Sequence, residues 1–297
     1  MIFNRLFLLL LFGLLLSCAN QNTPDNIVIT EIMHQGIPHY QVETPSATYL
    51  ISKESGGASS IFDRDNIDWV NHSKDYEGKR TTGADAQWRG VPQMVFQGDD
   101  GGVGHPVGRD MCNVELVADN QINVVSKSGL WEFSWTFKED YAIFSVEKTD
   151  TSRGYWFLYE GPVAGNFNPY TNYWANDTDG VRFDQPRHGR SDVKGHWQWA
   201  YFGDPSSIRC FFVSMADKDD LIDHFSYLPN DLELGLRASD GMVVFGFGRS
   251  QSPREPLMRD PNVFLMGFYE KRLNSEERYF EFSDFINNLN KKYSSNN

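Results

Sequence analysis

Apolar and polar residues alternate along much of the chain. The pattern is clearest from Leu130 to Phe137, where Trp131, Phe133, Trp135 and Phe137 fall on one face and Glu132, Ser134 and Thr136 on the other. A period of two marks a half-buried strand. Lys138-Glu139-Asp140 then form a polar turn into Tyr141 to Lys148, where Ala142, Phe144 and Val146 alternate with Ile143, Ser145 and Glu147 to complete a hairpin. Comparable patterns predict strands at 27–33, 39–44, 46–52, 57–62, 113–118, 121–127, 155–160, 196–202, 207–215, 232–238, 241–248 and 263–270. Helical signals are few. Asp219 to Phe225 reads as a short turn of helix. Ser283 reads as the cap of a C-terminal helix with Asp284 in its first turn and Lys291 and Lys292 in its last, a charge order that complements the helix dipole. No internal repeat of roughly 20 to 50 residues is visible, and no Pro-rich or Ser-rich linker divides the chain after residue 26. The expectation is an all-β fold, a two-sheet antiparallel β-sandwich over residues 27–297 with a helical tail.

The N-terminus adds a location. Arg5 precedes an apolar run from Leu6 to Leu16, followed by Ser17 and Cys18. The run is shorter than the roughly 20 residues a transmembrane helix wants, and it ends on a small residue, so residues 1–17 read as a signal peptide. Leu15-Leu16-Ser17-Cys18 resembles the lipobox of bacterial lipoproteins, which implies lipid on Cys18, a polar tether over 18–26 and a place in the cell envelope. Removing Arg5 makes an already acidic chain, with 27 Lys and Arg against 40 Asp and Glu, more acidic still. Nucleic-acid binding is excluded on that balance, because phosphate contacts need a basic face. Cys112 and Cys210 remain, and sequence leaves open whether they pair. No CxxC, HExxH or clustered Cys/His spacing points to zinc. Asp63 to Asp68 and Asn176 to Gly180 gather oxygen ligands without the EF-hand spacing, and Asp63-Arg64-Asp65-Asn66 reads as a turn between strands. No metal and no cofactor is expected.

Within this fold, TYLISKESGGASSIFDRDNIDWVNHS (48–73) resembles the opening of galactose-mutarotase-like β-supersandwich proteins. RGVPQMVF (89–96), GHP (104–106), YWFLYEGPVAGNFNP (155–169), YFGDP (201–205) and VVFGFGR (243–249) are similar to motifs of secreted proteins from polysaccharide-degrading bacteria, among whose clusters are ulvan-active lyases and an oligosaccharide dehydratase. The resemblance implies a carbohydrate-active sandwich and transfers no catalytic residue.

Candidate chemistry concentrates in the middle of the chain, where 13 of the 48 residues from Tyr155 to Phe202 are aromatic. On the expected strand from His196 to Phe202, the face carrying Trp197, Trp199 and Tyr201 is assigned to the core. His196, Gln198, Ala200 and Phe202 then face outward. The connection from Asn166 to Arg182 offers Tyr170, Tyr173 and Trp174 to stack on sugar rings, beside Asn168, Asn172 and Asn176 to bind hydroxyls, and long irregular connections are commonly functional. Next to it, Arg182, Arg187, Arg190 and Lys194 outnumber Asp184 and Asp192, and His188 and His196 can add charge. An acidic protein that binds an acidic glycan needs such a local positive pocket, and arginine binds carboxylate or sulfate with a planar fork. A second cluster, GDDGGVGHPVGRD (98–110), carries His105 and Arg109 on a glycine-rich loop. His34, His39, His72 and His224 are assigned to surface or packing roles.

Together these residues predict elimination across a uronic-acid residue of an anionic oligo- or polysaccharide by a lipid-anchored monomer. His105, His188, Tyr159 and Tyr173 are the acid/base candidates. Arg109, Arg187 and Arg190 would hold the carboxylate or a sulfate, with Trp174, Tyr170, Glu160 and His196 also touching substrate. Glu160 paired with Asp99, Asp100 or Asp110 would instead make a glycoside hydrolase. The same residues would also serve a non-catalytic glycan-binding lipoprotein or a mutarotase-like epimerase.

Overall fold

The computed structural model describes residues 26–73, 88–186, 191–228, 241–250 and 253–295. Among these, the chain runs through β1 (Val28–His34), β2 (Ile37–Glu43), β3 (Ala47–Ser52), β4 (Ala58–Asp63), β5 (Gly90–Gln93), β6 (Cys112–Ala118), β7 (Gln121–Ser126), β8 (Glu132–Phe137) and β9 (Tyr141–Lys148). It continues through β10 (Phe157–Gly161), β11 (Tyr173–Asn176), β12 (Gly180–Arg182), β13 (Val193–Gly195), β14 (Trp199–Gly203), β15 (Cys210–Met215), β16 (Asp223–Leu228), β17 (Met242–Phe247) and β18 (Asn262–Tyr269), and ends in α1 (Glu276–Tyr293). The strands form two 9-stranded sheets, ordered β1-β2-β3-β4-β5-β10-β17-β16-β13 and β12-β11-β14-β15-β18-β9-β8-β7-β6. Neighbouring strands pair antiparallel, so alternate side chains of each strand meet the facing sheet.

An aromatic layer fills the space between the sheets. Phe157 stacks on Phe264 at 4.4 Å, Tyr159 meets Phe211 at 4.8 Å and Phe202 meets Phe225 at 5.5 Å. The predicted face of Trp131, Phe133, Trp135 and Phe137 enters this core intact. The outer face of the second sheet is also dry. Trp199, Tyr201, Phe212 and Leu265 pack there against Phe282, Ile286 and Leu289 of α1. The expected polarity of the strand at 196–202 is therefore corrected: Ala200 and Phe202 line the inter-sheet core, while Trp199 and Tyr201 lie beneath the helix. A strand covered on both sides has no solvent face for the pattern to report.

Three further expectations change. Asp219 to Phe225 is not helical; Asp223–Leu228 is a strand, with Phe225 in the core and His224 on the opposite face. The connection from Asn166 to Arg182 contains the β11–β12 hairpin, closed where Asn176 Oδ1 accepts the Thr178 and Asp179 amides at 2.8 and 2.9 Å. The helix starts two turns before Ser283: Ser275 is the cap, its side chain accepting Arg278 N–H, with Glu276 and Glu277 in the first turn and Lys291 and Lys292 in the last. The predicted strand at 232–238 lies outside the described residues, as do the signal peptide and Cys18. No helix among the described residues is long and apolar enough to cross a membrane. Cys112 and Cys210 are both free and buried.

Candidate active site

The outer face of the first sheet carries the polar groups that the core rejects. In β10, Phe157 and Tyr159 point inward, so Leu158 and Glu160 point outward. Phe225, Phe245 and Phe247 likewise point inward from β16 and β17, leaving His224 and Gly246 on the same outer face. Phe157 pairs in register with Phe247, so β17 ends beside the start of β10, and the Arg249 stem lies back against Gly246 on the same outer face.

Two glycines set the depth of the site. A Cβ on Gly90 would fall 2.8 Å from His105 Cδ2 and 2.6 Å from Pro106 Cδ, so the missing side chain lets the His105 loop lie against β5. At Gly246 a Cβ would meet Leu158 Cδ2 at 2.2 Å and Arg249 Cδ at 3.2 Å, and its absence leaves the passage for the Arg249 stem.

Glu160 is 7% exposed, and its carboxylate makes no hydrogen bond to any described residue. His105 Nε2 stands 3.9 Å from Glu160 Oε2. Burial pushes the Glu160 carboxyl up to about 7, opposed by the charges of Arg249 and Arg254. His105 Nδ1 accepts the Val107 amide at 3.2 Å, so the ring proton sits on Nε2, which donates to Trp88 O at 3.1 Å. Burial holds this imidazole down at about 3 and keeps it neutral. Arg249 is 4% exposed, with its guanidinium 5.2 Å above the Trp156 ring and Nη1 3.4 Å from His224 Nδ1. His224 Nε2 meets Asp192 Oδ1 at 3.0 Å. Phe96, half-buried, packs on Trp156 at 4.5 Å and completes an aromatic wall. The result is a carboxyl and a guanidinium, both desolvated, on one sheet face beside a neutral imidazole.

This arrangement keeps some expected residues and moves others. His105 and Glu160 come together. Arg109 is exposed on the same loop as His105. Arg187, His188 and Arg190 lie outside the described residues. Tyr159 is not an acid/base group: it is in the inter-sheet core, its hydroxyl donates to Trp69 O at 2.8 Å, and burial raises it well above the usual tyrosine range. Tyr173 is buried in the other sheet, its hydroxyl 3.3 Å from Cys210 Sγ and bonded by Leu273 N–H at 3.2 Å. Trp174 cannot stack on a sugar, being fully buried against Phe225 at 4.4 Å with its indole N–H on Asp184 O. Asn172 and Asn176 are buried in loop closure. Tyr170 is 93% exposed on the turn before β11, and His196 is exposed with Nδ1 3.0 Å from Leu221 O; neither joins the group around Glu160.

Of the three carboxylates considered as partners of Glu160, Asp100 is engaged with Arg153 and Asp110 with Lys127, while Asp99 is exposed. Among the described residues no group of three or more His, Cys, Asp or Glu side chains could hold a metal ion. Arg249, His224, Asp192 and Trp156 are the site residues that sequence reading missed. Trp156 and Glu160 share the parity of one strand, a signal that was present. Arg249, the last residue of VVFGFGR, gave no sign of its place, because its stem turns back over Gly246 only after β17 has ended.

No protein-family model and no curated protein sequence matches this chain. Solved structures do. The protein HI1317 superposes with a TM-score of 0.53 at 11% identity, over 84% of this chain and 98% of that one. YeaD of Salmonella typhimurium, provisionally described as a mutarotase, gives 0.51 at 10% identity over 82% and 94%. A galactose mutarotase related enzyme from Lactobacillus acidophilus gives 0.50 at 10% identity over 79% and 100%. The fold is galactose-mutarotase-like.

Proposed function

We propose that this protein is a carbohydrate-active enzyme that eliminates across a uronic-acid residue of an anionic oligo- or polysaccharide, with Glu160 as proton carrier and Arg249 as carboxylate holder. One observation supports this reading above others. Glu160 is buried, without a hydrogen bond to any described residue and tuned to about 7, on the outer sheet face that also carries the buried Arg249, whose charge acts on it. Taking the C5 proton from a uronate throws negative charge onto the adjacent carboxylate, and a guanidinium bound there offsets it. Ionised Glu160 accepts that proton as the C4–C5 double bond forms and the C4–O bond breaks. The same carboxyl then returns the proton to the departing oxygen. A group titrating near neutrality suits both halves of that exchange. His105, neutral at every working pH, keeps its Nε2–H near the carboxylate. Trp156 and Phe96 supply the apolar wall for a ring face.

The two-carboxylate hydrolase loses support, because the charges that act on Glu160 are the cations Arg249 and Arg254. A mutarotase-like reaction, in which the anomeric hydroxyl loses its proton as the ring oxygen gains one and the ring opens and recloses, is the second reading, favoured by the names of the structural neighbours. Incubation with glycans containing glucuronate, iduronate or galacturonate separates these readings. Growth of ultraviolet absorbance from an unsaturated product, lost in Glu160→Gln, supports elimination. New reducing ends without absorbance support hydrolysis, and faster anomer exchange with neither supports the second reading. The proposal also places the monomer in the cell envelope, held by lipid on Cys18. Cys18→Ser should move it from the membrane to the soluble fraction, and unchanged membrane association contradicts that anchor.

A further inference from the structure

The helix-covered side of the sandwich, opposite the sheet face of Glu160, carries two phenyl rings that packing leaves in water. α1 buries Phe282, Ile286 and Leu289 against the second sheet, and Tyr279 lies half-buried against Trp199 at 5.6 Å. Phe280 follows Tyr279 but turns away from that buried stripe and is 57% exposed. Phe183, just past the edge strand β12, is 58% exposed. Exposed apolar side chains standing singly are ordinary. These two line one groove, of about 580 Å³, between the β11–β12 hairpin and the start of α1.

Asn274 and Ser275 line that groove and also a second cleft, of about 450 Å³, between α1 and the β14–β15 loop. The two meet there as one trough whose ends differ in chemistry. The aromatic end carries Glu276 and Asp179, the latter partly offset by Arg182 at 3.5 Å. The other end carries Lys271, Arg272 and Arg278. Lys271 and Arg278 both meet Glu281, and Glu277 adds a carboxylate next to Arg278 on the helix. Glu270 is held by Arg209 at 3.2 Å. Arg272 is thus the cation of the trough that pairs with no carboxylate among the described residues, and its Nε is pinned on Ser207 O at 3.1 Å. A pyranose packs an apolar C–H face on a phenyl ring and donates its hydroxyls to carboxylates. An acidic sugar would set its own charge against Asp179 and Glu276, so the aromatic end suits an uncharged ring. A guanidinium already fixed at Nε keeps its other N–H groups for a carboxylate, so the Arg272 end suits an acidic one.

We propose that this trough is a second glycan-binding site, which holds a strand where an uncharged sugar packed on Phe183 and Phe280 adjoins a uronate held by Arg272. The site lies across the sandwich from Glu160, so it anchors a polymer and takes no part in the chemistry. That the anchored strand is also the one cleaved rests on elimination at Glu160; the preference of the trough for alternating rings does not.

The test measures binding by calorimetry in Glu160→Gln protein, which leaves the glycan intact. The probes are unsulfated chondroitin, in which uronate and uncharged rings alternate, polygalacturonate, acidic on every ring, and dextran, acidic on none. Chondroitin should bind most tightly. Adding Phe183→Ala or Phe280→Ala should weaken it by about threefold to tenfold. Adding Arg272→Gln should weaken it by a similar factor that disappears in about 1 M sodium chloride. All three side chains are exposed, so the melting temperature should stay where it was. Any other order of affinity, no binding at all, or chondroitin binding unchanged by the three substitutions overturns the proposal. If binding ignores those substitutions and is lost on adding Arg249→Met, the glycan sits on the Glu160 face; the trough is then wrong while the role of Glu160 stands. If the trough substitutions weaken binding and the wild type yields no unsaturated product from any glycan, the trough stands and elimination falls.

Discussion

Glu160→Gln is the substitution whose effects on function and stability point in opposite directions. Burial raises the carboxyl from the usual 4.5 to about 7, so the folded protein resists its ionisation. Both states hold the proton below 4.5, and the penalty is then absent. Between about 4.5 and 7 the unfolded chain ionises while the folded one does not, so stability falls by on the order of 3 kcal/mol and levels off once the folded carboxyl also ionises above 7. Glu160→Gln should thus match the wild type near pH 4 in urea unfolding and exceed it above neutrality. A constant difference across pH contradicts the assigned environment. Turnover should fall by about a hundredfold to ten-thousandfold, and wild-type turnover should rise with pH through about 7 as the base form accumulates. Aromatic residues show why the site is only half legible at this scale. Trp174 and Tyr170 look alike in sequence, yet one is sealed under Phe225 and the other is in water. Trp174→Ala should cost about 3 to 5 kcal/mol of stability, whereas Tyr170→Ala should change neither stability nor turnover.

Elements whose two faces differ are the ones readable from pattern. β8 and β9 alternate because one face is core and the other is partly wet, and the alternation locates both within two residues. β14 and β15 are buried throughout, one face on the sandwich and one under α1, and no periodicity marks which side is which. β5, β11, β12 and β13 are three or four residues long, too short for any period to register. β16 does alternate, with His224 and Ser226 outward of Phe225, but the apolar pair Leu221 and Ile222 before it suggests a helix. The helix itself gives a sharp test. Ser275→Ala should cost about 1 kcal/mol through the lost cap, and Ser283→Ala much less, since Ser283 lies inside the helix. Equal costs in thermal unfolding would contradict the assigned start. Phe282→Ala, which opens the contact with Trp199 and Tyr201, should cost about 3 to 5 kcal/mol.

The whole molecule is what makes the site possible. Two sheets close over an aromatic layer, a helix seals the far side, and the remaining broad face collects the buried polar groups. Cys112 and Cys210 report on that closure: burial pushes both thiols up to about 12. A thiol reagent should therefore react only as fast as the chain unfolds, and a reductant should leave the melting temperature unchanged. A fast-reacting thiol in the native protein would argue for local opening. The field at Glu160 likewise belongs to the assembled fold, since it combines burial with the charges of Arg249 and Arg254, far away in sequence. The most direct measurement is the carboxyl titration of Glu160, by infrared or carbon-13 difference between wild type and Glu160→Gln. The expected midpoint is near pH 7 and moves higher in Arg249→Met, where the opposing cation is gone. A midpoint in the ordinary carboxylate range, indifferent to Arg249, would contradict a buried, arginine-facing proton carrier.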